Sequence, residues 1–215
     1  IRNPLNAIGL RLEILDETML DLKEKLGSES TKEVLELSAS VTRELGRLTE
    51  VTDYYLRFAK FPQPQKETID LVSVVDELLI LFKEEAESEN VAIELEMPGS
   101  LILRADGNLL RQSILNLLKN SLEALAGQTE ITNRELSFRV WNEGDKAILR
   151  LSDNGPGMRQ EVQDRIFEPF FTTKEMGTGL GLTLVQQIVR EHGGIIQCSS
   201  NEGAGTTFTI SIPRQ

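Results

Sequence analysis

The segment Phe61-Pro62-Gln63-Pro64-Gln65-Lys66 divides the chain. Proline fixes φ, lacks an amide hydrogen and pushes the residue before it out of the helical region. Two prolines this close together end any helix arriving from the N-terminal side and favour an extended linker. The 215 residues are therefore expected to form a helical part over 1–61, a linker over 62–68 and a second domain over 69–215.

The first part carries a heptad seam. Leu5, Ile8, Leu12, Leu15, Met19, Leu22 and Leu26 alternate spacings of three and four, so they return to one stripe of a helix. Gly27-Ser28 breaks this helix, and Ser28 or Ser30 can cap the next. The second helix runs through Val34, Leu37, Val41, Leu45, Leu48, Thr52 and Tyr55, with one extra residue entering near Val41, as in a stutter. Two such helices joined by a short turn form an antiparallel hairpin. A hairpin alone leaves its apolar stripe half exposed, and pairing two copies into a four-helix bundle buries it.

After the linker, helix and strand patterns mix. Leu71 to Ser88 predicts a helix, and Val91 to Glu96 alternates like a half-buried strand. Asp106 is placed to cap a long helix that ends near Ala126. Leu136–Val140 and Ala147–Leu151 flank Asn142-Glu143-Gly144-Asp145, a hairpin turn signal. Residues 154–177 are rich in Gly and Pro without a clean period. Thr178 to Glu191 predicts a helix, and Ile195–Ser199 and Thr206–Ile212 predict closing strands. The fold class is α+β: a helical hairpin followed by an α/β sandwich, a sheet with helices over one face.

Charge and composition narrow the function. The net charge is −11, of which −2 falls before Phe61-Pro62 and −9 after it. A chain that coats nucleic acid or anionic lipid needs a basic face, so no nucleic-acid partner is expected. One Cys excludes an internal disulfide and fits a reducing compartment. One Cys and one His exclude a Cys/His zinc site. No stretch approaches the roughly 20 apolar residues of a membrane span, and no leader pattern opens the chain. The first residue is Ile, which suggests a piece of something longer.

Four stretches carry candidate chemistry. In Leu151-Ser152-Asp153-Asn154-Gly155-Pro156-Gly157-Met158 a strand delivers Asp153 into a Gly-x-Gly turn. The carboxylate can accept a hydrogen bond from an amino group such as adenine's, or the stretch is simply a turn that ends a strand. Gly177-Thr178-Gly179-Leu180-Gly181-Leu182 opens a helix, either as a phosphate cradle or as a turn leading into the helix. It has neither the Rossmann setting nor the Gly-Lys-Ser/Thr of a P-loop. Asn116 and Asn120 stand four apart on one face of the long helix. Amide oxygens there can ligate Mg²⁺, or they form a polar stripe at the helix edge. Ile166-Phe167-Glu168-Pro169-Phe170-Phe171-Thr172-Thr173-Lys174 puts three Phe within five residues. It reads as a buried loop core, or as a lid hinged at Gly157 and Gly177, pinned by Phe and ending in a phosphate-seeking Lys174.

Taken together and in this order, the stretches resemble the catalytic part of bacterial two-component sensor histidine kinases, of the GHKL ATP-binding superfamily. NLLKN is similar to the N box, DNGPG to the first Gly box, FEPFFTTK to the F box and GTGLGL to the second Gly box. Gly203-Ala204-Gly205-Thr206-Thr207-Phe208 is similar to the closing GxGTxF pattern. Ile1-Arg2-Asn3-Pro4-Leu5-Asn6-Ala7-Ile8 resembles the H box from its third position onward.

The resemblance implies the following. The cofactors are ATP and Mg²⁺. Asp153 binds the adenine amino group with Thr206 nearby, Asn120 ligates Mg²⁺, and Asn116 contacts the metal–phosphate region. Lys174 meets the γ-phosphate. Gly155, Gly157, Phe167, Phe171, Thr173, Gly177, Thr178, Gly179, Leu180 and Gly181 line the nucleotide site. Superfamily ATPases carry a Glu base where Asn116 stands, and Asn cannot act as a base. That fits transfer to a protein rather than to water. The acceptor His and the acidic residue after it precede Ile1 in the family's H box, so this chain is expected to bind ATP without phosphorylating itself. Asn3 matches a position that assists phosphatase activity on the response regulator. Partners are ATP, a receiver domain, a second copy through the N-terminal helices and an upstream sensor domain. A cytoplasmic core is expected, on a parent protein open to membrane anchoring. His192, in Glu191-His192-Gly193-Gly194, reads as a helix C-terminal residue that helps the dipole, not as the acceptor. Two other readings are a GHKL ATPase or protein-serine kinase with a helical appendage, and a non-catalytic dimerisation module with a vestigial pocket. The H-box remainder and Asn116 disfavour the former, and the intact boxes disfavour the latter.

Overall fold

The computed structural model describes residues 14, 35, 38–43, 45–46, 63–126, 133–174 and 177–215. The chain divides into two compact units, Ile1–Pro62 and Gln63–Gln215. In the first unit the described residues are helical, Val41 and Leu45 of the seam among them. The rest of the seam, the Gly27-Ser28 break, the caps at Ser28 or Ser30, the H-box stretch with Asn3, and Phe61-Pro62 lie outside the described residues.

The second unit begins with β1 (Glu67–Asp70), which pairs antiparallel with β3 (Ile102–Ala105) in a two-stranded sheet. Neither strand stands out in the sequence. Each has four residues, and their pairing joins segments more than thirty positions apart. Helix α1 (Leu71–Ser88) follows directly. Asp70 caps it and also ties it to the chain ahead of β3: its Oδ1 accepts from the amides of Val72 at 3.0 Å and Leu101 at 2.9 Å. The Leu101 amide is the main cause that holds the Asp70 carboxyl below its ordinary range.

Helix α2 (Gly107–Ala126) starts where Asp106 caps it. Asp106 Oδ1 accepts from the amides of Asn108 and Leu109 at 3.1 Å. Its apolar face, with Leu110, Ile114, Leu117, Leu118, Leu122 and Leu125, is fully buried. Helix α2 packs against α1 and against α4 (Gly181–Glu191).

The main sheet has five strands in the order β2-β4-β5-β7-β6. These are β2 (Val91–Glu96), β4 (Arg134–Glu143), β5 (Lys146–Asp153), β6 (Ile195–Ser200) and β7 (Thr206–Pro213). β2 runs parallel to β4, and the other pairs are antiparallel. β7 alternates strictly: Thr206, Phe208, Ile210 and Ile212 are buried and the residues between them are not. That is the pattern of a sheet covered on one face. Leu136, Phe138, Leu149 and Leu151 complete the buried side. On the other side Arg150 lies over the Trp141 ring at 5.0 Å. The sandwich expected from the sequence is the fold observed.

Two expectations need correction. Helix α4 starts at Gly181, not at Thr178, because Gly179 adopts φ +68°, which a right-handed helix cannot include. The stretch 154–177 is not wholly irregular, since a single helical turn, α3 (Gln160–Gln163), interrupts it.

His192 is also not what a helix-end His suggests. It is buried, with 3% of its surface exposed. Its Nε2 accepts from the Asp106 amide at 2.9 Å, so Nδ1 carries the proton and donates to the Ile188 carbonyl at 2.8 Å. The ring is therefore neutral and fastens the end of α4 to the start of α2. Burial lowers its pKa. Cys198 in β6 is likewise a packing residue, its thiol pushed up to about 12 by burial and then by Asp153. Among the described residues, no helix is long and apolar enough to cross a membrane.

A depressed histidine pKa stabilises the fold above the ordinary His range, and that stability is lost as pH falls through the folded value. His192→Ala is expected to cost about 1–3 kcal/mol at mildly alkaline pH, because the Asp106 amide loses its acceptor. The cost should shrink at mildly acidic pH. Urea unfolding of both proteins at the two pH values measures this, and a cost that does not change with pH would contradict the neutral bridge.

Candidate functional site

Asp153 ends β5 on the helix-covered side of the sheet, and the β5–β7 register sets it opposite Thr206. Only 8% of it is exposed. Oδ1 accepts from the amides of Gly155 at 3.1 Å and Thr206 at 3.2 Å. Oδ2 accepts from the Ser121 hydroxyl at 3.0 Å. A carboxylate oxygen has two lone pairs, so Oδ1 is filled by these bonds and Oδ2 keeps one acceptor direction. Burial raises the Asp153 pKa against these three hydrogen bonds, which lower it. The site thus offers one acceptor, buried and fixed in direction, suited to an amino-group donor.

Ser121 was not visible as a site residue in the sequence. The available signal was a hydroxyl on the mostly apolar face of α2, which also carries the buried Ser113. Ser200 is a second such residue. Its hydroxyl donates to the Gly205 carbonyl at 2.7 Å, accepts from the Met158 amide at 2.9 Å and lies 3.0 Å from Thr206 Oγ1. Gln163 clamps the Ser200 backbone, donating to its carbonyl at 2.6 Å and accepting from its amide at 3.2 Å.

These bonds change the reading of Gly157. It adopts φ +66°, and any Cβ there would overlap the Asn201 carbonyl. Pro156, Met158 and Gln163 are all bonded to the β6–β7 end of the sheet. Gly157 is therefore a close-packing point and not a lid hinge. Gly205 serves the same end from the other side, its Cα pressed on the Asp153 carbonyl. Gly155 is buried against Asp153 Oδ1 and Ala124.

The F box is anchored differently from the sequence expectation. Phe170 is 52% exposed, while Phe167 and Phe171 are half-buried. The buried anchors are Ile166 and Leu180. The Phe171 ring lies 4.2 Å from the Arg165 guanidinium. The Thr183 hydroxyl donates to the Phe167 carbonyl at 3.2 Å, and the Phe170 amide donates to the Gly179 carbonyl at 3.1 Å. A Cβ at Gly179 would strike the backbone of Phe170 and Phe171. The F box and second Gly box are thus held backbone to backbone. Gly177 sits against Thr172, Thr173 is exposed, and Thr178 is half-buried.

Two further contacts bring the N box to these loops. A Cβ at Gly181 would lie 3.8 Å from Asn116 Oδ1, so the start of α4 faces Asn116. No side chain caps α4, which leaves its first amides open to an anion. Lys174 Nζ donates to Asn120 Oδ1 at 3.2 Å and pairs with Glu123. The Asn120 amide oxygen is thus already turned toward a cation. A hard oxygen donor in that role fits Mg²⁺. Among the described residues no three His, Cys, Asp or Glu side chains gather into a metal site. Of the expected site residues only Asn3 lies outside the described residues.

Residues 105–215 match the family model described as histidine kinase-, DNA gyrase B- and HSP90-like ATPase. The signal transduction histidine-protein kinase AtoS of Escherichia coli is 32% identical over 215 residues, which cover 99% of this chain and 33% of AtoS. The sensor histidine kinase ZraS of Salmonella typhimurium is 34% identical over 216 residues, covering 99% of this chain and 43% of ZraS. The chain thus spans less than half the length of these curated relatives. The solved catalytic domain of the histidine kinase ThkA is 30% identical, with a TM-score of 0.62 over 70% of this chain and 96% of that one. ThkA solved in complex with the response regulator protein TrrA aligns over 98% of this chain and 60% of that one, at TM-score 0.71 and 24% identity, a likeness of fold.

A raised carboxyl pKa means that the fold holds the acid more easily than the carboxylate. Its stabilising contribution is greatest below the ordinary carboxylate range and is lost as pH rises through the raised value. In Asp153→Asn the two amides of Gly155 and Thr206 keep the oxygen on the Oδ1 side, and Ser121 can accept from the new NH₂. The variant is expected to melt at a higher temperature than wild type at neutral pH. A lower melting temperature would show that the charged hydrogen bonds outweigh the burial of the charge.

Proposed function

The chain belongs to the family of histidine kinase-, DNA gyrase B- and HSP90-like ATPases, as the catalytic core of a two-component sensor histidine kinase, and from that premise we propose how its residues work. Asp153 takes the adenine amino group on the open acceptor of Oδ2. The observation that carries this reading is the buried carboxylate with three of its four acceptor directions filled. Asn116 and Asn120 face the phosphates, and Asn120 offers its amide oxygen to Mg²⁺. When bound, Mg²⁺ supplies positive charge where the transferred phosphoryl group develops negative charge. The uncapped start of α4, with Gly179 and Gly181, holds the triphosphate through backbone amides, while the Gly177 amide donates to the Lys174 carbonyl at 3.2 Å and shapes the loop.

Transfer goes in line to an imidazole nitrogen of the H-box His, two positions before Ile1 in the register of Ile1-Arg2-Asn3-Pro4. Asn116 supports this direction of reaction, since an amide cannot take a proton from water. In the whole protein the phosphoryl group then passes to an aspartate of a receiver domain. The complex of ThkA with TrrA supports that partner. Asn3 orients water for the opposing phosphatase reaction, in which the phospho-aspartate of the receiver is hydrolysed to aspartate and inorganic phosphate. Val41 of the heptad seam is 41% exposed in the single chain, which supports a second copy covering that stripe in a four-helix bundle.

Labelled ATP and Mg²⁺ given to the chain together with its complete H box should leave acid-labile, base-stable label on the protein. Label that survives acid would place the acceptor at a hydroxyl and contradict the proposal. Asp153→Asn should lose nucleotide binding by at least about a hundredfold, because its NH₂ meets the adenine NH₂ donor to donor. Retained binding would overturn the adenine assignment.

A further inference from the structure

Asn116, Asn120 and Glu123 are spaced four and three along α2, so they share one face. The first two belong to the proposed phosphate and metal site. Glu123 is one turn beyond Asn120 and had no part in the sequence reading. Lys174, at the end of the F box, is bonded to both Asn120 and Glu123. Its ammonium thus stands on two oxygens at the place where a metal would meet Asn120, as a tethered stand-in for that cation. With Lys174 on Glu123 the pair is neutral.

A phosphate chain entering this site draws Lys174 toward itself. That leaves the Glu123 carboxylate uncompensated beside a polyanion. If the nucleotide arrives bare, only Lys174 and the backbone amides offset the repulsion. If it arrives with a divalent metal on Asn120, the metal charge does so as well. We propose that Glu123 is a specificity-determining residue that makes the site select the metal-complexed nucleotide over the bare one. The proposal rests on the reading of Asn120 as the metal-facing amide. Both side chains are partly exposed, Lys174 at 41% and Glu123 at 58%, so the effect is moderate and screened by salt.

The test measures displacement of a fluorescent ATP analogue by ATP at low ionic strength, once with Mg²⁺ and once with EDTA. The proteins are wild type, Glu123→Gln, Glu123→Asp and Asn120→Ala. Glu123→Gln should bind ATP in EDTA about three- to tenfold more tightly than wild type, with Mg²⁺-ATP affinity within about twofold. The preference for the metal complex then falls by the same factor. Glu123→Asp keeps the charge and should restore most of the wild-type preference. An unchanged preference in Glu123→Gln, or an equal loss of affinity in both conditions, would overturn the proposal. Asn120→Ala separates the two readings. If it leaves the metal dependence intact, the metal assignment fails and this proposal fails with it. If it abolishes the dependence while Glu123→Gln does not alter it, only the role of Glu123 fails.

Discussion

Three segments far apart in sequence meet on the Asp153 carboxylate. Helix α2 contributes the Ser121 hydroxyl, the loop after β5 contributes the Gly155 amide, and β7 contributes the Thr206 amide. A carboxylate this deeply buried is costly unless it is hydrogen-bonded, and each of these bonds also fixes the segment that makes it. The sheet register supports the arrangement, since Asp153 pairs with Leu136 on one side and Thr206 on the other. The acceptor direction left over is therefore set by the core of the fold and not by a surface loop.

The glycines around this carboxylate act chiefly through close packing. Gly157 rests on Asn201, Gly205 on Asp153, and Gly179 on Phe170 and Phe171, each at positive φ and each without room for a Cβ. These contacts tie the two Gly boxes to the β6–β7 end of the sheet and to the F box. Lys174 then carries the F box across to Asn120 and Glu123 on α2. The loops of the site are thus joined to α2 at two places, through Ser121 and through Asn120.

Much of this was legible because local physics and global fold agree. The Asp106 cap, the apolar face of α2, the hairpin at Gly144 and the alternation of β7 each follow from a short-range pattern that the sandwich also requires. The motif stretches were legible as residue types in sequence order. Their partners were not. Ser121 and Ser200 look like ordinary small polar residues until the fold brings Asp153 and Gly205 to them. His192 looked like a charge at a helix end because nothing local reveals that Asp106, 86 positions earlier, donates to its ring. Gly157 looked like a hinge for the same reason, as its constraint comes from Asn201 across the sheet end. The start of α4 was misplaced by three residues because an apolar period continues through Gly179, whose φ is set by the F-box backbone packed on it.

The central claim is that one buried, oriented acceptor on Asp153 reads the purine amino group. Competition between ATP and inosine triphosphate for the site tests it most directly, because the 6-amino donor of one purine is replaced in the other by a 6-oxo acceptor, with a hydrogen on the neighbouring N1. The account requires ATP to bind more tightly by about tenfold or more, since an oxo group brings a second acceptor against the carboxylate. Equal affinity for the two nucleotides would contradict it.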